Sequence, residues 1–191
     1  MDEYIIWEKN SKILYREPNS VIFLENIKFP WSTLKRKMKI SRLNKIIYKA
    51  ECNDFLLSSF FKILEQNLKT KYNKKPTHKL IELKYLFKKF PKNIKLYTAI
   101  KNNDVIGGIV LFINNKTLHT QYIASNYTGR KYNVMDCIIY NIINEYVRIK
   151  KFLSLGISSE NKGKKINKSL LNFKSKLRSQ LVLNDTIEIK L

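Results

Sequence analysis

The chain has 191 residues, a hydrophobic fraction of 44% and a formal net charge of +22. That length and apolar content suit one folded domain and exclude a disordered tract. No apolar run approaches the roughly 20 residues that a membrane helix needs. A charge of +22 admits a nucleic acid, an anionic membrane surface or a polyphosphate-bearing ligand as partner. The arginines are Arg16, Arg36, Arg42, Arg130, Arg148 and Arg178, and every other basic residue is a lysine. Lysine rising together with asparagine and isoleucine is what A/T-rich coding produces. Lysines scattered over every segment therefore read as a solvated surface. Cys52 and Cys137 lack metal-type spacing, and His78 and His119 lie far apart. This predicts a reducing cytoplasm, no disulfide framework and no metal site. The acidic start, Met1-Asp2-Glu3-Tyr4, has no signal-peptide pattern.

Taken in chain order, Tyr4–Trp7, Ile13–Tyr15 and Val21–Leu24 read as short extended pieces, with Pro18-Asn19 as a turn. Pro30-Trp31 opens a basic segment, helical from Leu34 to Asn44, and a strand over Lys45–Ala50 follows. Asn53 and Asp54 suit the N-cap of a helix to about Lys71, with Leu56, Phe60, Ile63 and Leu64 on one face. Thr77 is placed to cap a second helix carrying Leu80, Leu83, Leu86 and Phe87, which Pro91 stops. Phe55, Phe60, Phe61 and Phe87 sit at helical spacing and read as core. A meander comes next: Ile94–Ile100, Val105–Ile113 and Thr117–Ala124, joined by Asn102-Asn103-Asp104 and Asn114-Asn115. Asn133 opens a helix with Val134, Ile138, Ile142 and Tyr146, and the strand Phe152–Ile157 follows it. A strand-helix-strand unit of that length favours a parallel crossover. A last helix holds Ile166, Leu170, Phe173 and Leu177, and a final strand puts Ile187, Ile189 and Leu191 on one face. The expectation is a single α/β domain over 1–191, with 1–52 as an arm continuous with it and a mixed sheet flanked by helices.

One segment is polar where the pattern calls for core. In Leu118-His119-Thr120-Gln121-Tyr122-Ile123-Ala124-Ser125-Asn126, alternation puts His119, Gln121 and Ile123 on one face. Polar side chains there must be hydrogen-bonded or cost free energy. Asp136 stands at the third position after Asn133, the place of a capping-box carboxylate. Asn161 and Asn167 are suited to cap the following helix or to bond a substrate, with capping assigned to Asn161. His78 reads as a surface residue at a helix start.

These residues together resemble a known group. Ile106-Gly107-Gly108, His119 to Asn126, Asp136, and Gly156-Ile157-Ser158-Ser159-Glu160-Asn161 with Gly163 and Asn167 resemble the Fem-like branch of the GNAT acyltransferases, related to peptidoglycan and polysaccharide biosynthesis. Lys71 to His78 and Phe90-Pro91-Lys92-Asn93-Ile94 fit the same pattern. The resemblance covers essentially the whole chain but only the C-terminal lobe of the usual two-lobe member, so the N-terminal lobe is expected to be absent. Two departures stand out. Lys168 and Ser169 replace an acidic residue and a glycine, and Leu177-Arg178-Ser179-Gln180-Leu181 replaces a glycine-rich turn.

The resemblance implies a GNAT-like, largely antiparallel mixed sheet with a C-terminal strand-helix-strand crossover. It also implies acyl transfer from acetyl-CoA or another acyl-CoA, or from an aminoacyl donor, to an amine or hydroxyl. Such a reaction needs an anion site, a polarised carbonyl and a base. The anion site falls on Asn126, Thr128, Gly129, Arg130 and Lys131, ahead of a helix start. Glu160 and His119 are the candidate bases, with Gln121 and Asp136 as further catalytic candidates. Tyr122, Ser158, Asn161 and Asn167 are candidates for substrate contact. Three readings follow: an acyl-CoA-dependent transferase acting on a cell-envelope sugar or peptide precursor, an aminoacyl-tRNA-dependent one, and a non-catalytic lobe that binds a partner or polyanion. DNA is not an expected partner.

Overall fold

The computed structural model describes residues 11–25, 27 and 31–189. The expected strand at Tyr4–Trp7, Pro30 and Leu191 lie outside the described residues. In chain order the elements are β1 (Ser11–Phe23), α1 (Trp31–Leu43), β2 (Ile47–Lys49), α2 (Asp54–Tyr72), α3 (Leu80–Lys89), β3 (Ile94–Lys101), β4 (Asp104–Ile113) and β5 (Thr117–Ser125). Then come α4 (Tyr127–Lys131), α5 (Val134–Tyr146), β6 (Phe152–Ile157), β7 (Ser159–Glu160), β8 (Lys165–Ile166), α6 (Lys168–Lys176) and β9 (Gln180–Ile189). The fold is mixed α/β, with mostly antiparallel strands flanked by helices. No helix among the described residues is long and apolar enough to cross a membrane. The chain divides into two compact units. One is Leu24–Leu153; the other joins the chain up to Phe23 to the chain from Ser154 onward.

In the Leu24–Leu153 unit, β2, β3, β4 and β5 lie side by side, each pair antiparallel. The meander forms because β-branched runs are interrupted by residues that accept left-handed backbone. Asn102 and Asn103 have φ of 50° and 65°, which makes the tight hairpin the strand twist requires. Helix α2 starts where Asn53 Oδ1 accepts the Leu56 N–H at 2.9 Å, and it ends at Asn73, again left-handed. Leu56, Leu57, Phe60, Phe61 and Leu64 bury its inner face, with Leu83 and Phe87 of α3 beside them. Phe55 is a correction to the expected core: it is 63% exposed. Position 55 falls off the stripe that 56, 60 and 64 define.

Three helix starts differ from expectation. Helix α3 begins after Lys79, whose N–H donates to Glu82 Oε2 at 2.7 Å, and Thr77 lies ahead of it. Asn133 is left-handed and makes no side-chain cap; the capping asparagine is Asn126, which opens the short helix α4. Helix α6 starts at Lys168 and is capped by Asn167, whose Oδ1 accepts the Leu170 N–H at 3.0 Å, so Asn161 is not the cap. Ile166 belongs to β8 and Leu177 follows the helix.

In the other unit, β1 is continuous from Ser11 to Phe23 and pairs antiparallel with β9. Pro18-Asn19 does not turn; Pro18 faces Leu183 within the ladder. Antiparallel pairs alternate bonded and non-bonded positions, so a proline without an N–H is tolerated at the latter. The irregularity sits instead between Ile13 and Tyr15. Arg178 carries the left-handed turn before β9, with φ of 62°, where the resembled family uses glycine.

Candidate active site

The polar segment of β5 lies in the Leu24–Leu153 unit. Leu118, Thr120, Tyr122 and Ala124 are buried, whereas His119, Gln121 and Ile123 are half-buried. The polar face is therefore the more open one, and His119 and Thr120 both engage neighbours. The register with β4 slips at this point: Val110 faces Tyr122 and Leu111 faces Thr120, which leaves Gln121 with no counterpart across the ladder. Such a bulge breaks the hydrogen-bond ladder locally and re-aims side chains.

At the end of β5 the chain is laid onto β4 by close backbone contact. The Asn126 N–H donates to the Ile106 carbonyl at 3.0 Å. A Cβ on Gly129 would lie 2.2 Å from that same oxygen, and one on Gly107 would lie 2.8 Å from Met135 Cε of α5. Gly129 is thus small so that α4 can rest against Ile106, and it is buried. Asn126 Oδ1 accepts the Gly129 N–H at 2.9 Å, and its carbonyl accepts the Arg130 N–H at 3.0 Å. By position, Tyr127 and Thr128 begin the first turn, where amides have no carbonyl behind them. Arg130 Nη1 and Asn67 Nδ2 both donate to the Ser125 carbonyl, at 2.7 and 2.9 Å. Lys131 and Lys101 place their ammonium groups 5.8 and 5.3 Å from the Tyr132 ring centroid. Asp136 pairs with Lys37 of α1 instead of closing a capping box.

Tyr122 and His78 form a pair that sequence reasoning missed, having left His78 on the surface. The Tyr122 hydroxyl accepts the His78 N–H at 3.1 Å and lies 2.7 Å from His78 Nδ1, with the rings edge to face.

The unit that takes up the chain again from Ser154 holds the second group of residues. Gly156 is left-handed at φ of 79°. Lys174 of α6 is buried at 2% exposure, and its ammonium donates to the Gly156 and Ile157 carbonyls at 2.8 and 2.7 Å. Ser158 is 1% exposed and its Oγ has no partner. Its carbonyl accepts the Asn167 N–H at 2.9 Å. Glu160 is half-buried, with Asn167 Nδ2 at 3.4 Å and Lys165 Nζ at 3.8 Å. Asn161 is left-handed in the β7–β8 turn. A Cβ on Gly163, also left-handed, would lie 2.1 Å from the Arg16 carbonyl. So Ser158, Glu160, Asn161 and Asn167 fall together around one turn.

Lys174 was missed as well, although the signal was present: it occupies the middle of the 170/174/177 stripe of α6, an apolar position. Burial lowers its pKa to about 8, from 10.5. The unfolded chain then holds more protons than the folded one between those values, so unfolding free energy rises as pH climbs from about 8 toward 10.5. The ceiling of that gain is about 3 kcal/mol. Tyr48 and Tyr97, whose phenols burial holds above their ordinary 10.0, act in the opposite sense at higher pH. Urea titrations between pH 8 and 10 will show the rise in the native chain and its loss in Lys174→Met.

No protein-family model matches the chain, and no curated protein does. Solved structures do. FemX superposes on 97% of this chain with a TM-score of 0.70 at 9% identity, over 68% of its own length. L-PGS from Bacillus licheniformis matches 99% of the chain with a TM-score of 0.69 at 11% identity. A protein described as the C-terminal domain of a lysylphosphatidylglycerol synthetase from Agrobacterium fabrum matches 94%, with a TM-score of 0.64 at 10% identity. What the chain shares with these structures is the fold, a mostly antiparallel mixed sheet flanked by helices. The chain spans 61% of the Agrobacterium protein and 64% of L-PGS, less than two thirds of either.

Proposed function

We propose that this chain is an acyltransferase lobe that moves an aminoacyl group from aminoacyl-tRNA to an amine or hydroxyl of a cell-envelope precursor. The observation that carries this reading is the superposition of nearly the whole chain on FemX and on L-PGS. The name lysylphosphatidylglycerol synthetase denotes joining an amino acid to a lipid. The turn after β5 is partly closed to the phosphates of an acyl-CoA donor. Its glycine amide is already taken by Asn126, and the space beside that glycine is filled by the Ile106 carbonyl.

In this reading the acceptor's nitrogen or oxygen attacks the ester carbonyl, loses its proton, and expels the ribose hydroxyl. Glu160 and His119 are the two groups suited to take that proton, each in its own unit. The bulge at Gln121, which lacks a counterpart on β4, is the candidate place for backbone groups that would meet the developing oxyanion. Lys174 is a positioning residue: it fixes the carbonyl end of β6, from which the Ser158–Asn161 turn departs.

A second reading keeps the fold and takes acyl-CoA as donor. The first-turn amides of Tyr127 and Thr128, with Arg130 and Lys131 beside them, favour it. Release of radiolabelled amino acid from aminoacyl-tRNA in the presence of envelope-precursor acceptors tests the first reading. Titration calorimetry with acetyl-CoA tests the second. Glu160→Gln is expected to slow transfer by about 100-fold or more. Absence of turnover with both donors, together with partner binding unchanged by Glu160→Gln plus His119→Ala, would leave a non-catalytic lobe.

A further inference from the structure

Helix α1 does not fit the description of lysines spread evenly over a solvated surface. It carries Lys35, Arg36, Lys37, Lys39 and Arg42, and no aspartate or glutamate occurs between Trp31 and Ala50. Leu34 and Ser41 are buried and define its inner face, where Lys37 pairs with Asp136. The opposite face is the stripe Arg36, Lys39, Ile40 and Leu43, spaced i, i+3, i+4 and i+7. Ile40 is 42% exposed and Leu43 is 73% exposed.

The stripe stops where the helix ends. The Lys45 and Ile46 N–H groups donate to the Arg42 and Ser41 carbonyls at 3.0 Å, folding the chain directly from the helix end into β2. There Tyr48 turns its hydroxyl to Ser41 on the inner face of α1, and Ile47, opposite Ile100 of β3, projects from the other side of the sheet. Strand β2 pairs with β3 and ends the row of strands in its unit. The outer face of α1 is therefore one of cations interleaved with bare aliphatic side chains.

We infer that this outer face of α1 docks on an anionic phospholipid surface. Charge complementarity sets the sign of the partner, and the aliphatic stripe sets its class. A polynucleotide offers phosphates but nothing to receive Ile40 and Leu43, and it would call for stacking aromatics. Tyr48, the aromatic of this stretch among the described side chains, has its hydroxyl 2.8 Å from Ser41 Oγ. A bilayer interface receives both components: headgroups take the cations and the acyl boundary takes the aliphatic groups. The inference rests on α1 alone and stands apart from the proposed transfer chemistry.

Sedimentation of the full chain with vesicles tests it. Mixed phosphatidylcholine–phosphatidylglycerol vesicles are expected to bind, and pure phosphatidylcholine is not. Replacing three cations, Arg36→Gln, Lys39→Gln and Arg42→Gln, is expected to weaken binding on the order of 100-fold, at about fivefold per residue. Removing the same charge elsewhere, with Lys164→Gln, Lys168→Gln and Lys176→Gln, is expected to change it by no more than about twofold. The deciding variant is Ile40→Ser with Leu43→Ser, which leaves the charge untouched and is expected to cost about tenfold. Both residues are exposed, and circular dichroism checks that the variants fold. Equal binding to neutral vesicles, equal loss from the distant lysines, or no loss from the serine pair would overturn the inference. So would a matched assay in which the same variants lose tRNA binding and keep vesicle binding. Transfer to a water-soluble acceptor should survive the serine pair, which keeps this test separate from that of the proposed reaction.

Discussion

Gly129→Ala is expected to destabilise the Leu24–Leu153 unit by about 3 kcal/mol or more, a large share of the roughly 5–15 kcal/mol that holds a typical domain together. The cause is space and not backbone conformation. The added methyl would meet the Ile106 carbonyl oxygen at 2.2 Å and Ser125 Cβ at 3.0 Å. Neither neighbour is the flexible end of a side chain, so α4 has to lift. Lifting it breaks the Asn126 N–H bond to Ile106 and the cap on the Gly129 N–H. Urea unfolding is the measurement. Lys131→Ala, one turn-face away and exposed, serves as the control and should stay within about 0.5 kcal/mol. If Gly129→Ala matched that control, α4 would not be seated on β4 as described, and any donor site built on this turn would lose its foundation.

Phe60→Ala should cost about 3–5 kcal/mol. Phe60 is wholly buried on α2, and its ring lies against the backbone of β4. A Cβ on Gly108 would approach the ring at 2.8 Å and the Tyr97 carbonyl at 2.7 Å. The two positions are therefore coupled, and a double-mutant cycle will show it. Gly108→Ala is expected to cost less in the Phe60→Ala background than in the native one. Some cost should persist, because the Tyr97 carbonyl is main chain and cannot move aside. Additivity of the two changes would mean that α2 does not press on β4. That seat matters for the site, since α2 also brings Asn67 to the Ser125 carbonyl at the end of β5.

The meander was legible because each strand is a β-branched run bounded by asparagine turns, and α2 because its cap and its apolar stripe agree. What stayed hidden was short or long-range. Helix α4 is too short to show a helical period, so Asn126 to Lys131 read as a loop ahead of the next helix. Gly129 suggested the approach of a ligand, and only folding reveals that a neighbouring carbonyl occupies the space. The His78–Tyr122 bond joins residues 44 positions apart, which no local pattern can pair. Lys174 is different: a lysine amid an apolar stripe was visible, but lysine is so frequent here that its position drew no notice. The same abundance hid α1, whose basic residues stand out only once burial separates Leu34 and Ser41 from Ile40 and Leu43.

Eight described non-glycine residues adopt positive φ, and five of them are asparagines, Asn73, Asn102, Asn103, Asn133 and Asn161. Asparagine is the side chain best able to stand in for glycine there, because its short amide bonds locally. Glycine codons are rich in guanine, whereas asparagine codons begin with two adenines. A lineage under pressure toward adenine and thymine can therefore exchange one for the other at reversals of chain direction and keep its architecture. Gly107, Gly108, Gly129 and Gly163 escape that exchange, since each abuts neighbours that leave no room for a side chain. Those four glycines mark tight contacts, and the asparagines mark the bends.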